Sequence, residues 1–242
     1  MIFTLRKIFF SSLLLTLLML PARSALCSEA APEYAGVYSG TTTWEGTVTM
    51  IGDVLIPVGG KLTIQPGTEV RVVPAEGTQI DPEYLSAQTE LLIRGKLEIL
   101  GTKESPVSFT IVQRPDLEEI AWSGITFDAA GSSRISYAFI ERADIGIRCV
   151  ASSPLLEGNS LTACRYGIVA QQQSHPKIIN NTLVDGEGGI FCWRNSNPYL
   201  KGNLVTGHDE EGVFVDATSR PRLDHNDISR NAIGLAIYPV DL

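Results

Sequence analysis

Four prolines, Pro154, Pro176, Pro198 and Pro221, stand 22, 22 and 23 residues apart, and each opens the same register. Leu156, Ile178, Leu200 and Leu223 follow two residues later, and Asn159, Asn181, Asn203 and Asn226 five later. Leu161, Leu183, Val205 and Ile228 come seven later, and the register closes on Gly167-Ile168, Gly189-Ile190, Gly212-Val213 and Gly234-Leu235. A period in this range means stacked supersecondary units, which decides the fold before local propensity is consulted. The extra residue of the third spacing falls in Gly207-His208-Asp209-Glu210-Glu211, where lengthening a loop costs little. Upstream the frame continues through Gly146-Ile147 and Gly124-Ile125, with Ile135, Tyr137 and Phe139 alternating between them. Further back, Gly60-Lys61-Leu62-Thr63-Ile64 repeats as Gly95-Lys96-Leu97-Glu98-Ile99, with an inserted loop around residues 75–88.

Each repeat carries two or three short apolar alternations separated by Gly, Asn or Pro. Alternation of period two means strands with one buried face, and the turns leave no room for a helix. One such coil cannot bury its inner face alone, so coils must stack at the strand spacing of about 4.8 Å. The fold class expected is all-β: a single-stranded parallel β-helix with coils of about 22 residues, spanning residues 34–242. Asn159, Asn181, Asn203 and Asn226 should form a ladder at one corner. Gly158, Asn180, Gly202 and His225 precede them, residue types that tolerate positive φ. His225 therefore reads as a corner residue rather than half of a catalytic Asp224-His225 pair.

Residues 1–27 read as a signal peptide: Arg6 and Lys7, an apolar run from Ile8 to Leu20, then Pro21 and the small residues Ala22, Ser24 and Ala25. A run of thirteen residues is too short for a membrane-spanning helix of about 20. Leu26 and Ser24 sit where a lipidated Cys27 would need a small residue and a leucine, so lipidation is disfavoured. Loss of Arg6, Lys7 and Arg23 takes the net charge from −8 to −11. That balance excludes nucleic acid and anionic membrane surfaces as partners. The expected location is outside the cytoplasm, periplasmic or extracellular.

The run Val54-Leu55-Ile56-Pro57-Val58-Gly59-Gly60-Lys61-Leu62-Thr63-Ile64-Gln65-Pro66-Gly67-Thr68 resembles the opening coils of right-handed parallel β-helix proteins. Trp122-Ser123-Gly124-Ile125 and the asparagine repeats resemble the same pectin-lyase-like superfamily, over about residues 46–240. The branch most similar groups carbohydrate-binding and sugar-hydrolase repeats with periplasmic copper-reductase maturation proteins. The resemblance implies a right-handed helix, the hand usual for parallel crossovers. It implies no activity, because the superfamily's catalytic motifs do not transfer. Gly207-His208 is followed by Asp209 where a polygalacturonase-like site has glycine. Asp224-His225-Asn226-Asp227 lacks the proline of the epimerase motif. A lyase-like arrangement, with carboxylates for calcium beside an arginine, stays open.

Two sets of side chains are candidates for function. Phe191, Trp193, Phe214, Asp216 and Tyr238 fall in outward columns and should share one aromatic sheet face, suited to sugar rings or to a protein surface. Asp185, Glu187, Asp209, Glu210 and Glu211 should crowd on adjacent coils, either as Ca²⁺ ligands or as an acidic edge offset by Arg165 and Arg230. Cys149 and Cys192 fall in the inward column of Ala170, Val215 and Ile237, two coils apart and too distant for a disulfide. Cys164 falls in a loop register, and no Cys-x-x-Cys or His-x-x-x-His spacing marks a zinc or copper site. The function expected is carbohydrate binding or polysaccharide handling without a visible catalytic set and without a cofactor, Ca²⁺ being the one cation the edge suggests. The alternatives are an adhesion module making protein contacts, or a lyase or epimerase working at the acidic edge. The regular last coil, from Leu223 to Ile237, suggests homo-oligomers formed through that end.

Overall fold

A computed structural model describes residues 30–75, 88–112 and 122–238. Residues 1–29, where the signal peptide and Cys27 are expected, residues 76–87 of the inserted loop, and residues 113–121 and 239–242 lie outside them. All secondary structure in the described residues is β-strand, and every pairing between named strands is parallel. Eight coils stack into a solenoid with three faces. Each coil runs along the first face (Lys177–Ile179, for example), turns a corner into the second (Thr182–Gly186), then enters the third (Gly188–Cys192). In an early coil the second and third faces are joined in one long strand, Thr47–Ile56, which pairs with Glu69–Val72 at its start and Glu90–Ile93 at its end.

The repeat columns become inter-coil ladders in register. Ile135, Leu156, Ile178, Leu200 and Leu223 stack on the first face, and Ile140, Leu161, Leu183, Val205 and Ile228 on the second. Ile125, Ile147, Ile168, Ile190, Val213 and Leu235 stack on the third. Up to the last coil these columns point into one continuous apolar core, closed at its first coil by Trp44 packed on Tyr34 with ring centroids 4.8 Å apart. Side chains of the last described coil have no coil above them, and Leu235 and Ile237 are exposed. The alternation of Ile135, Tyr137 and Phe139 does not run along one face. Tyr137 occupies a corner at φ 48°, so the phase changes there and Ile140, not Phe139, enters the core.

Stacking apolar columns does not fix where one coil sits on the next; polar columns at the corners do. Asn181 accepts from the Asn159 backbone N–H at 2.9 Å and donates through Nδ2 to the Leu156 carbonyl at 3.0 Å. Its Nδ2 also donates to the Asn203 side chain at 3.1 Å, and Asn159 and Asn203 repeat the pattern. The residue before each takes positive φ as expected: 67° at Gly158, 54° at Asn180, 63° at Gly202 and 52° at His225. A second ladder, not expected from the sequence, precedes the prolines. The backbone N–H groups of Ser152, Ser174 and Ser196 donate to the hydroxyls of Ser174, Ser196 and Ser219 at 3.0–3.1 Å.

Truncating a middle rung should be costly because it orphans buried groups on both neighbouring coils. Asn181→Ala is expected to lose about 3 kcal/mol, given about 1 kcal/mol per bond and more for each buried group left unpaired. Asn226→Ala, with a ladder partner on one side only, should lose less. Urea midpoints of the two variants against the parent protein measure the difference.

Candidate functional site

The outward columns of the third face build a groove. In register, Arg148, Val169, Phe191, Phe214 and Ala236 form one column, and Gln171, Trp193, Asp216 and Tyr238 run beside it. On the other side Ile145 pairs with Tyr166, and Tyr166 with Gly188. Gly188 leaves room that a Cβ would fill, and the Phe191 ring lies back over it against Tyr166, centroids 4.9 Å apart. Phe191 stacks on Phe214 at 5.3 Å, Phe214 meets Tyr238 at 5.2 Å, and Trp193 stands edge-on to Phe191 and to Phe214.

The structure thus brings Phe191, Trp193, Phe214 and Tyr238 together, with one correction. Phe191 is only 5 % exposed, because Tyr166, Trp193 and Phe214 pack around it; it forms a floor instead of a free surface. Ile145, Arg148, Tyr166, Val169, Gln171, Phe191 and Trp193 enclose a groove of about 200 Å³. Sequence reasoning missed Tyr166, since it precedes the repeat glycine and its counterparts are Ile145 and Gly188, which set no aromatic pattern. Burial pushes the Tyr166 hydroxyl above its ordinary value, while Arg165, whose guanidinium lies 5.1 Å from the ring centroid, pulls it down. Asp216 is spoken for by its own turn. Its carboxylate accepts from the backbone N–H groups of Arg194, Thr218 and Ser219 at 2.8–3.0 Å; partial burial pushes its pKa up, and these donors outweigh that and lower it.

The acidic candidates occupy a different corner. Asp185, Glu187 and Asp209 line a groove of about 400 Å³ with Cys164, Arg165 and Gly207. Arg165 donates to Glu187 at 3.0 Å and to Asp144 at 3.3 Å, so part of this charge is neutralised across adjacent coils. Glu211 instead begins the strand Glu211–Val215, paired with Ile233. Among the described residues no three His, Cys, Asp or Glu side chains come together in a way that could hold a metal ion.

Two residues sit elsewhere than the repeat alignment places them. Gly186 pairs with His208, so Gly207 is the positive-φ counterpart of Asp185 and Arg230, and His208 lies one step further, inside the corner. The extra residue of the repeat therefore falls after His208. Cys164 occupies this same buried corner column instead of a loop, its thiol facing the carbonyls of Thr162 and Ile140 at 3.7 and 3.8 Å. Cys149, Cys164 and Cys192 are all free and buried; burial pushes the Cys164 and Cys192 thiols up to about 12, and Cys149 further. Cys149 and Cys192 take the expected inward column with Ala170 and Val215.

Of the histidines, His175 accepts a hydrogen bond from Asn197 N–H at 3.0 Å in an exposed turn. His225 projects into solvent beside Asp224, which also accepts from the Tyr199 hydroxyl at 2.8 Å. His208 is 4 % exposed, and neither ring nitrogen has a hydrogen-bond partner. Burial pulls its pKa below 6.5, with the Leu183 backbone and then the Asp185 charge acting in the opposite direction. In the next coil Asn231 fills the same column better, donating to the Val205 carbonyl at 3.0 Å and accepting from His208 N–H at 3.1 Å. His208→Asn should extend that pattern by one coil and add about 1 kcal/mol. A histidine held neutral in the fold protonates first in the unfolded chain, so the parent protein loses stability as pH falls below about 6.5. That part of the pH dependence should vanish in His208→Asn, as urea midpoints at pH 7 and pH 5 would report.

A sequence model of the family described as "Periplasmic copper-binding protein (NosD)" matches residues 110–239, more than half of the chain. Comparison with curated proteins and with solved structures returns no match. Copper takes thiolate, thioether and imidazole donors. Here the described thiols are buried and protonated, Met50 is fully buried, and the three histidines occupy separate places, so the described residues do not fit a copper centre.

Proposed function

Because the chain belongs to the NosD family, whose members are periplasmic, we propose that it acts in the periplasm as a β-helix binding protein for carbohydrate, using the aromatic groove of the third face. The observation that carries this reading is the groove itself. Aromatic rings from two adjacent coils, Tyr166 on one and Trp193 on the next, flank an apolar floor of Val169 and Phe191, and Arg148 and Gln171 supply a few polar groups at the rim. Small-molecule sites have this composition: mostly apolar walls with a small number of placed polar groups. Flat rings accept the C–H face of a pyranose, while amide and guanidinium groups satisfy its hydroxyls. The named copper of the family finds no donor set among the described residues, and this reading assigns copper no step.

The experiment is a glycan array on the exported protein, followed by titration with the best ligand. Trp193 is 39 % exposed and walls the groove, so Trp193→Ala should weaken binding at least tenfold while leaving the thermal midpoint within a few degrees. No sugar binding would contradict the reading. Concentration-dependent self-association, abolished by Phe214→Asp in the absence of any sugar affinity, would make the same face a protein contact instead.

A further inference from the structure

The groove holds a single charged group, Arg148, and the charges around it are otherwise engaged. On its own strand and the two flanking ones, the register neighbours of Arg148 are Thr126 and Val169, neither of which carries charge. Asp128, in register with nearby Val150, is held by Arg94 at 2.9 Å. Arg165, the next cation along the solenoid, is shared between Asp144 and Glu187. Arg148 itself is half-buried, and among the described residues it makes neither an ion pair nor a hydrogen bond. With no protein partner, a guanidinium at the rim of an apolar groove leaves it to an entering ligand to match its hydrogen bonds.

The chemistry that returns them is an oxyanion, since the planar fork of guanidinium donors matches a carboxylate at two points. The groove is smaller than the roughly 300 Å³ at which pockets for drug-sized ligands begin. It has room for one ring and one substituent. A net charge of −8 repels anions at long range, so an acidic ligand gains nothing here from the general field and must be recognised locally.

We propose that the groove selects a sugar bearing a carboxylate, its ring between Tyr166 and Trp193 and its carboxylate on the Arg148 guanidinium. This proposal rests on the carbohydrate reading above and narrows it. Two kinds of sugar share the chemistry: the lactyl-substituted amino sugar of a periplasmic cell wall, and a uronic acid.

Titration calorimetry with two matched pairs tests it. N-acetylmuramic acid differs from N-acetylglucosamine by its lactyl carboxylate, and glucuronic acid differs from glucose by oxidation at C6. The exported protein should bind the acid of at least one pair tenfold or more tightly than its neutral partner, and the pair that shows the larger ratio identifies the source. Arg148→Gln should erase the ratio, weakening the acid at least tenfold more than its neutral partner. Equal affinity for acid and neutral partner in the parent protein, or a preference that survives Arg148→Gln, overturns this proposal and leaves carbohydrate binding standing. Absence of binding by all four sugars overturns this proposal, and absence of binding on the glycan array as well overturns both. Acetate alone binding as tightly as the acidic sugars would also overturn it, since the ring would then contribute nothing.

Discussion

The structure depends on polar side chains buried at the corners of each coil that reach the backbone of the next. A parallel β-helix stacks its coils through strand pairing, and apolar columns alone would let a coil slide by two residues with little penalty to the core. The Asn159–Asn226 column removes that freedom, because each amide is committed to a carbonyl and an N–H of particular residues. The serine column preceding the prolines does the same at another corner. Inside an apolar core these bonds are strong when made and expensive when broken, so they set register more than they add net stability.

Register is also what makes a site on the outside. Side chains that point outward from a repeat have no core to place them; they fall into line because the coils beneath them do. Phe191, Phe214 and Ala236 share a column only because Ile190, Val213 and Leu235 share the one beside it. Departures from the repeat then give the face its shape. Where neighbouring coils carry Ile145 and Tyr166, the next carries Gly188, and the missing side chain lets the Phe191 ring lie over that position. The groove between Tyr166 and Trp193 follows from that substitution.

The fold was legible in the sequence because its determinants recur at a fixed spacing: the inward aliphatic columns, the Asn corner with a positive-φ residue before it, and the closing glycine. The serine ladder was equally periodic, two residues before each proline, yet a serine close to a proline reads as an ordinary turn until the hydroxyls are seen to be buried. The aromatic face was visible from Phe191, Trp193, Phe214 and Tyr238, whereas Tyr166 and the burial of Phe191 depended on a ring orientation that no spacing encodes. His208 was misplaced because the extra residue lies after it, and a one-residue shift carries a side chain from a solvent loop to an interior corner. Cys164 keeps its register three before Gly167, and its spacing alone does not show that this position is buried.

The chain's three tryptophans offer a direct reading of where a ligand sits. Trp44 is buried against Tyr34 at the first coil, and Trp122 is buried with its Nε1 donating to the Glu141 carbonyl at 2.9 Å. Trp193 alone is exposed, at the edge of the groove. The ¹⁵N–¹H spectrum of the three indole groups, followed through a titration with N-acetylmuramic acid, therefore tests the location of the site without a substitution. The expected result is a saturable shift of the Trp193 indole resonance, with those of Trp44 and Trp122 unmoved. Binding detected calorimetrically while the Trp193 resonance stays in place would put the ligand elsewhere and contradict the account.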